Sequence, residues 1–394
     1  MVDDGQGDCA TWESLGAGLV SSIPGCVCVK TACLHTVLEQ CLLTIKSVLQ
    51  SSFYSEMASD SLTFVSAQCY CSANTFKVAF RTDSLPVACN SCHCSTCRHS
   101  TGTLSTRTVP ILGSPLALDA EPQTPFDLSH LKTYSVSGHL QRYFCGTCGA
   151  YLFLRSSETW TVFAGALDKN EGITRLVSHS YVGDTLDGGL ANHLGAWDGV
   201  GLPLFAGAAT EMDQGDFQLA EVPSAPVSTV DNIPFQCSCG DISFAVKRYM
   251  GHPDQQEIWL VPGATEDDPW RYRVGHCLCN DCRLNSGGLI TTFTFVPVDH
   301  LVDGRTSEPI GQSRPQGLVT FESSPGVFRE FCGTCGARVF YWTNSMKGHT
   351  RGVAFGLLDE RAVGGALGRA LFAFHPHPIY AELTADPKMS LVPV

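Results

Sequence analysis

Cys92-His93-Cys94-Ser95-Thr96-Cys97-Arg98 places three cysteines within six positions, a density that packing does not explain. Three thiolates at this spacing can hold one zinc ion and leave its fourth position open. Bonds of about 2.3 Å in a tetrahedron ask for sulfurs about 3.8 Å apart. Cys92 and Cys94 fall on one side of an extended chain, and a turn through Ser95 and Thr96 brings Cys97 round to them. Buried free thiols or a disulfide would be the alternative, and recurrence argues against both: Cys277-Leu278-Cys279-Asn280-Asp281-Cys282-Arg283 repeats the pattern.

The flanks recur too. Cys69-Tyr70-Cys71 precedes the first trio and Cys237-Ser238-Cys239-Gly240 the second. Arg142-Tyr143-Phe144-Cys145-Gly146-Thr147-Cys148-Gly149-Ala150 follows the first, and Arg329-Glu330-Phe331-Cys332-Gly333-Thr334-Cys335-Gly336-Ala337 the second. Cys-x-x-Cys-Gly is a zinc-knuckle turn, its glycines permitting positive φ and close approach of amides to sulfur. Val162–Asp168 and Val353–Asp359 close the two copies. In each copy the outer pairs can close a four-cysteine structural site around the trio: Cys69, Cys71, Cys145 and Cys148 in the first, Cys237, Cys239, Cys332 and Cys335 in the second. Repetition at this scale predicts two copies of one unit. The second copy is longer by about 17 residues between its first two motifs, where the acidic stretch Gly263–Pro269 reads as a surface loop.

Composition narrows the partners. The chain has 394 residues, 20 cysteines and a formal net charge of -13, which disfavours nucleic acid and anionic membrane surfaces. No apolar run reaches transmembrane length, and the acidic opening Met1-Val2-Asp3-Asp4 is unlike a secretory leader. Cytoplasmic placement is expected, where closely spaced cysteines act as metal ligands rather than disulfides.

Along the chain, residues 1–61 read as an N-terminal extension. It is weakly ordered or helical, with a helical period over Leu34–Leu49. Cys26, Cys28 and Cys33 could bind metal but lack a matching pair, and Met57 is an alternative start. Residues 62–200 form the first domain, 201–232 an Ala/Gly/Pro-rich linker or, in part, the last strand of that domain, and 233–385 the second domain. Thr75–Phe80 and Trp160–Asp168 read as strands, Ser100-Thr101-Gly102 as a turn, and 113–130 as a loop. Cys89 reads as a buried residue or a reactive thiol.

These motifs resemble the CENP-V/GFA family, which includes glutathione-dependent formaldehyde-activating enzyme. The resemblance covers both copies. It implies a mainly β protein of two tandem zinc-binding β-tent domains, built of antiparallel sheets, the β-tent being shared with zinc-binding chaperones of Rab proteins. It also implies two zinc ions per copy, four in all. The four-cysteine sites would be structural, and the trios Cys92, Cys94, Cys97 and Cys277, Cys279, Cys282 of the active type. Ser72 and Leu278 depart from the first-turn glycine and from His93.

The expected chemistry is that of a carbon–sulfur lyase acting on an adduct between a thiol such as glutathione and a carbonyl compound. The alternative is a non-catalytic zinc-stabilised interaction module, which a fourth protein ligand at the trio would favour. His93, between two ligands, is expected to point away from zinc toward the surrounding shell or substrate. Its absence from the second copy assigns the chemistry to the first, with the second completing a pair that substitutes for a homodimer. Arg98 and Arg142 are candidates to hold a substrate carboxylate, or else to bond backbone or cysteine sulfur. Asp168 reads as a base or a strand-end turn, and His179 and His193 as pocket-lining or ordinary residues.

Overall fold

The computed structural model describes residues 62–119, 123–157, 159–209, 231–250, 259–262, 270–311, 314–346, 349–359, 372–374 and 389–390. The N-terminal extension with its expected helix and its cysteines, and the acidic stretch 263–269, lie outside the described residues.

The first copy begins with a hairpin, β1 (Leu62–Gln68) and β2 (Thr75–Arg81). Phe76, Val78 and Phe80 alternate inward from β2 and are buried, the period a half-covered strand requires. β3 (Val87–Cys92) leads through Cys94 into the helix α1 (Ser95–Thr101). β4 (Thr106–Pro110), β5 (Leu112–Ala117), β6 (Leu131–Ser137), β7 (Leu140–Cys145), β8 (Tyr151–Ser156), β9 (Thr159–Phe163) and β10 (Thr174–Ser180) follow. β1, β2 and β5 make a three-stranded sheet, and the seven-stranded sheet runs β10-β3-β4-β9-β8-β7-β6. All pairs are antiparallel except β10 with β3.

β5 corrects the loop expected from residue 113. Leu116 is buried against β2, and Pro115 is accommodated because β5 is an edge strand, where a missing N–H costs no ladder bond. The interval expected as linker also begins within the fold. His179 N–H donates to Pro203 O (3.0 Å) and Phe205 N–H to His179 O (2.9 Å). Ala196–Trp197 (β11) and Val200–Gly201 (β12) precede that stretch.

The second copy repeats the plan. β13 (Asn232–Gln236), β14 (Ser243–Lys247) and β18 (Leu301–Asp303) form its small sheet. β15 (Leu260–Val261), β16 (Arg271–Cys277), β17 (Thr291–Pro297), β22 (Thr350–Ala354), β21 (Arg338–Thr343), β20 (Val327–Cys332) and β19 (Leu318–Ser324) lie in that order in the large one. α2 (Asn280–Ser286) follows β16, and β23 (Phe372–Phe374) pairs parallel to β16 as β10 does to β3. β15 belongs to the longer stretch peculiar to this copy. β24 (Met389–Ser390) returns to pair with β11 of the first copy.

One hydrophobic cluster runs through both copies, from Val65 and Phe76 to Phe244 and Leu358. The contacts between them are reciprocal. Gly165 N–H donates to Gly287 O (2.8 Å), and Gly356 N–H to Gly102 O (3.1 Å), so each helix ends on a 3₁₀ turn of the other copy. Phe144 and Phe331, each just before a knuckle, press on the knuckle glycine opposite. A Cβ on Gly149 would sit 2.5 Å from the Phe331 ring, and one on Gly336 2.8 Å from that of Phe144. Both glycines hold positive φ, so space and backbone select glycine together. Each buried phenylalanine contributes about 2–3 kcal/mol.

Candidate metal centres

The outer cysteines meet as sets of four. The sulfurs of Cys69, Cys71, Cys145 and Cys148 lie within 4.8 Å of one another, as do those of Cys237, Cys239, Cys332 and Cys335. Separations of 3.5 Å (Cys69–Cys71), 3.7 Å (Cys71–Cys145) and 3.5 Å (Cys239–Cys332) exclude disulfides and approach a tetrahedral edge. The two knuckles are close to superposable: Gly149 N–H donates to Cys145 O and Gly336 N–H to Cys332 O. They differ in sulfur solvation. Asn74, buried, gives its amide N–H₂ to Cys145 Sγ (3.2 Å), where the second copy has Ile242 and only a backbone N–H, on Cys237 Sγ (3.3 Å). Ser72 takes φ 56°, doing the work of the glycine that the second copy has at Gly240.

The inner cysteines form two sets of three, Cys92, Cys94, Cys97 and Cys277, Cys279, Cys282. Among the described residues no fourth histidine, cysteine or carboxylate joins either set. The geometry comes from a strand-to-helix junction. The first cysteine ends a strand, the second is the helix N-cap, and the third lies in the first turn. Cys94 Sγ accepts from Cys97 N–H (3.3 Å), and Cys279 Sγ from Cys282 N–H (3.4 Å). Gly102 and Gly287 end these helices in the left-handed region, the turn that Ser100-Thr101-Gly102 signals in the sequence.

Cations fix the third cysteine. Arg142, which is buried, donates from Nη2 to Cys97 Sγ (3.3 Å) and from Nη1 to Ser100 Oγ. Arg329 does the same from Nη1 to Cys282 Sγ (3.7 Å). Cys97 is held well below the usual thiol range by hydrogen bonds from Cys92 and Cys94, then by the Arg142 charge. Cys282 is lowered likewise by Cys277 and Cys279, then by Arg329 and Arg338. Arg338 is itself lowered to about 10 by burial and the neighbouring Arg329.

The remaining sequence candidates fall into place unequally. His93 is fully buried, and its Nε2 is 2.8 Å from His179 Nδ1. His179 Nε2 is 2.7 Å from Leu194 O, a pure acceptor, so His179 carries its proton there and His93 donates from Nε2. Burial lowers His93 well below its ordinary value and His179 to about 4, so both are neutral near pH 7. Arg98 is buried and turned into the fold. Its Nε donates to His93 O (3.0 Å), and Nη2 to Ser95 Oγ (3.3 Å) and Asp184 O (3.4 Å). Asp168 is exposed at a strand-end turn, its N–H on Ser66 O. Cys89 is buried, with Sγ 3.5 Å from Arg175 O. His193, lowered to about 4 by burial, stacks edge-on with His276 of the second copy, ring centres 4.9 Å apart.

Four contributors were not singled out in the sequence. Asp184 Oδ2 accepts from Ser95 N–H (2.9 Å), steadying the helix start. Tyr181 follows Ser180, which is in register with Cys92, and holds φ 56° with its ring part-exposed beside the first trio. Arg283 crosses to the first copy, donating to Gly165 O (2.7 Å) and Leu167 O (2.5 Å), while Asn285 donates to Cys148 O (2.7 Å). The repeat is the one signal for this last pair: Arg283 aligns with Arg98, but the strand order that brings copies together is not written in spacing.

The class is defined by a mainly β scaffold carrying, in tandem, four-thiol and three-thiol clusters that could each hold a metal ion. The sequence matches the family described as glutathione-dependent formaldehyde-activating enzyme over residues 64–184 and 264–367, and the chain belongs to that family in two tandem copies. No curated protein matches the chain. Among the described residues no helix is long and apolar enough to cross a membrane.

Proposed function

We propose that the chain is a zinc-dependent carbon–sulfur lyase acting on the adduct of a thiol such as glutathione with a carbonyl compound, in the manner of S-(hydroxymethyl)glutathione synthase. The observation that carries this reading is a trio of converging thiols, joined by no fourth side-chain ligand among the described residues. The donor set suits a soft dication: sulfurs near the tetrahedral spacing, with amide or guanidinium donors on them. The two sets of four would hold structural zinc and the two sets of three would hold zinc with one corner free. Zinc bound at the trio would supply a soft seat for a thiolate, or a Lewis acid for a carbonyl oxygen.

The chain's own residues do the positioning. Arg142 donates to Cys97 Sγ and holds it in place. Arg98 ties the loop of His93 to Asp184, holding trio and covering segment together. The neutral His93–His179 pair forms a rigid floor behind the ligands. Tyr181 offers a phenol at the trio's edge, able to hydrogen-bond a substrate oxygen. In the forward direction the thiolate sulfur forms a bond to the carbonyl carbon, and the carbonyl oxygen takes up a proton; the lyase direction reverses both. The first copy, with His93 and Tyr181, carries the chemistry in a reducing compartment such as the cytoplasm.

The test is the rate at which glutathione and a panel of aldehydes form or lose their adduct, with Cys94→Ser as control. Acceleration that the variant lacks supports the reading; no change across the panel overturns it in favour of an interaction module. Elemental analysis should give four zinc ions per chain, and a value near two would leave only the sets of four filled.

A further inference from the structure

We propose that the open site of the second copy selects an anionic thiol, one carrying a carboxylate, more strongly than the open site of the first. This rests on the reading of both trios as thiol-receiving metal sites.

The argument starts from one position. After Cys-Gly-Ala of the knuckle, the first copy has Tyr151 and the second Arg338. Tyr151 spends its hydroxyl on backbone, donating toward Ser100 O and Cys335 O. Arg338 brings a second buried guanidinium to Cys282, whose carbonyl accepts from its Nη1 (3.3 Å). Its plane lies over Phe293, 5.6 Å from the ring centre. Arg329, also buried, lies between Tyr70 of the first copy (5.3 Å) and Tyr341 (5.4 Å). The Nε atoms of both arginines are buried without a hydrogen-bond partner, as is that of Arg142 in the first copy, so the second site has two such donors where the first has one. The carboxylate paired with Arg329 is Asp281, at 4.0 Å and 62% exposed.

Three thiolates and a dication carry one negative charge. Arg142 cancels it in the first copy, where the Asp184 carboxylate adds a further negative group at the helix start. In the second copy Arg329 and Arg338 both bear on Cys282, against the Asp281 carboxylate, which is largely in solvent. Two buried guanidiniums side by side call for an anion. A thiolate on the metal supplies one charge. A carboxylate supplies acceptors matched to arginine donors left bare.

The test uses the full chain loaded with cobalt(II), whose thiolate charge-transfer absorption reports ligand binding. Cys94→Ser isolates the second open site and Cys279→Ser the first. Each is titrated with 3-mercaptopropionate and with 2-mercaptoethanol, which differ in the carboxylate. The preference for mercaptopropionate should be about tenfold greater at the second site, and Arg338→Tyr should reduce it to the value at the first. Equal preferences at the two sites overturn the proposal without need of any arginine variant. So does an unchanged preference in an Arg338→Tyr protein that keeps its cobalt spectrum. If neither thiol binds either site, the lyase reading falls as well; if both thiols bind both sites with one preference, only this inference falls.

Discussion

The two open sites have the same sulfur frame and different surroundings. Between the first two ligands one copy has His93 and the other Leu278, both buried. Around the third ligand one copy has Arg142 with Tyr151, the other Arg329 with Arg338. The frame survives because backbone makes it: a strand end, a sulfur-capped helix start and a glycine helix end. Side chains nearby are then free to differ, and they differ in charge and hydrogen bonding, the properties that choose a ligand. The four-thiol sites show the same division, with equal knuckles but Asn74 facing one and Ile242 the other.

The severest way to break the comparison is to remove a knuckle. If the copies were independent, Cys332→Ser with Cys335→Ser would spare the first. The crossed contacts predict instead that both lose tertiary structure together, since structural zinc supplies about 10 kcal/mol or more of folding free energy. Near-ultraviolet circular dichroism and tryptophan emission would report this; Trp160 and Trp197 belong to the first copy. Next comes the chemistry. Cys94→Ser should lower the adduct rate by about 100-fold or more, a loss of about 3 kcal/mol or more in transition-state stabilisation, whereas Cys279→Ser should cost far less. Equal losses would mean that both copies turn over.

Acid should then act on both copies through buried histidines, His276 of the second being lowered to about 3 by burial and the neighbouring His193. His179 and His193 stand near 4 in the folded chain, below the ordinary 6.5. The unfolded chain therefore binds more protons between these values. Stability is complete above pH about 6.5 and is lost as pH falls toward 4, by up to about 3 kcal/mol per histidine. Denaturant midpoints at pH 7.5 and 5.5 would measure this, and His193→Gln should flatten the slope. The smallest effect belongs to Asn74→Ile, which gives the first knuckle the second one's environment. Loss of the side-chain amide's bonds to Cys145 and Cys69 Sγ should cost about 1–2 kcal/mol, read as faster zinc release to a chromogenic chelator, with metal content unchanged.

Much of this was legible before any coordinates. Fourteen cysteines in a repeated order assigned the four clusters, because ligand spacing is a local property of strand ends and turns. β2 followed from loose alternation, whereas the strand expected over Trp160–Asp168 stops at Phe163, where Ala164–Ala166 form a 3₁₀ turn. The less legible parts depend on long-range packing. His179 meets His93 across 86 positions, and no local pattern marks it. Phe144 and Phe331 sit in near-identical motifs, and nothing in the motif says whose glycine each will cover. Leu112–Ala117 was hidden by Pro115, since a proline's tolerance depends on whether its strand lies at an edge. Arg98 carries the same motif position as Arg283, yet one binds its own loop and the other the opposite copy.

The crossed phenylalanines also set a schedule for synthesis. About 180 residues separate Gly149 from Phe331, which a ribosome working at about 5–20 residues per second covers in about 10–40 s. During that interval the first knuckle has emerged while the ring that caps it does not yet exist. The nascent half must wait with an apolar face bare, a target for chaperones and for neighbouring nascent chains alike.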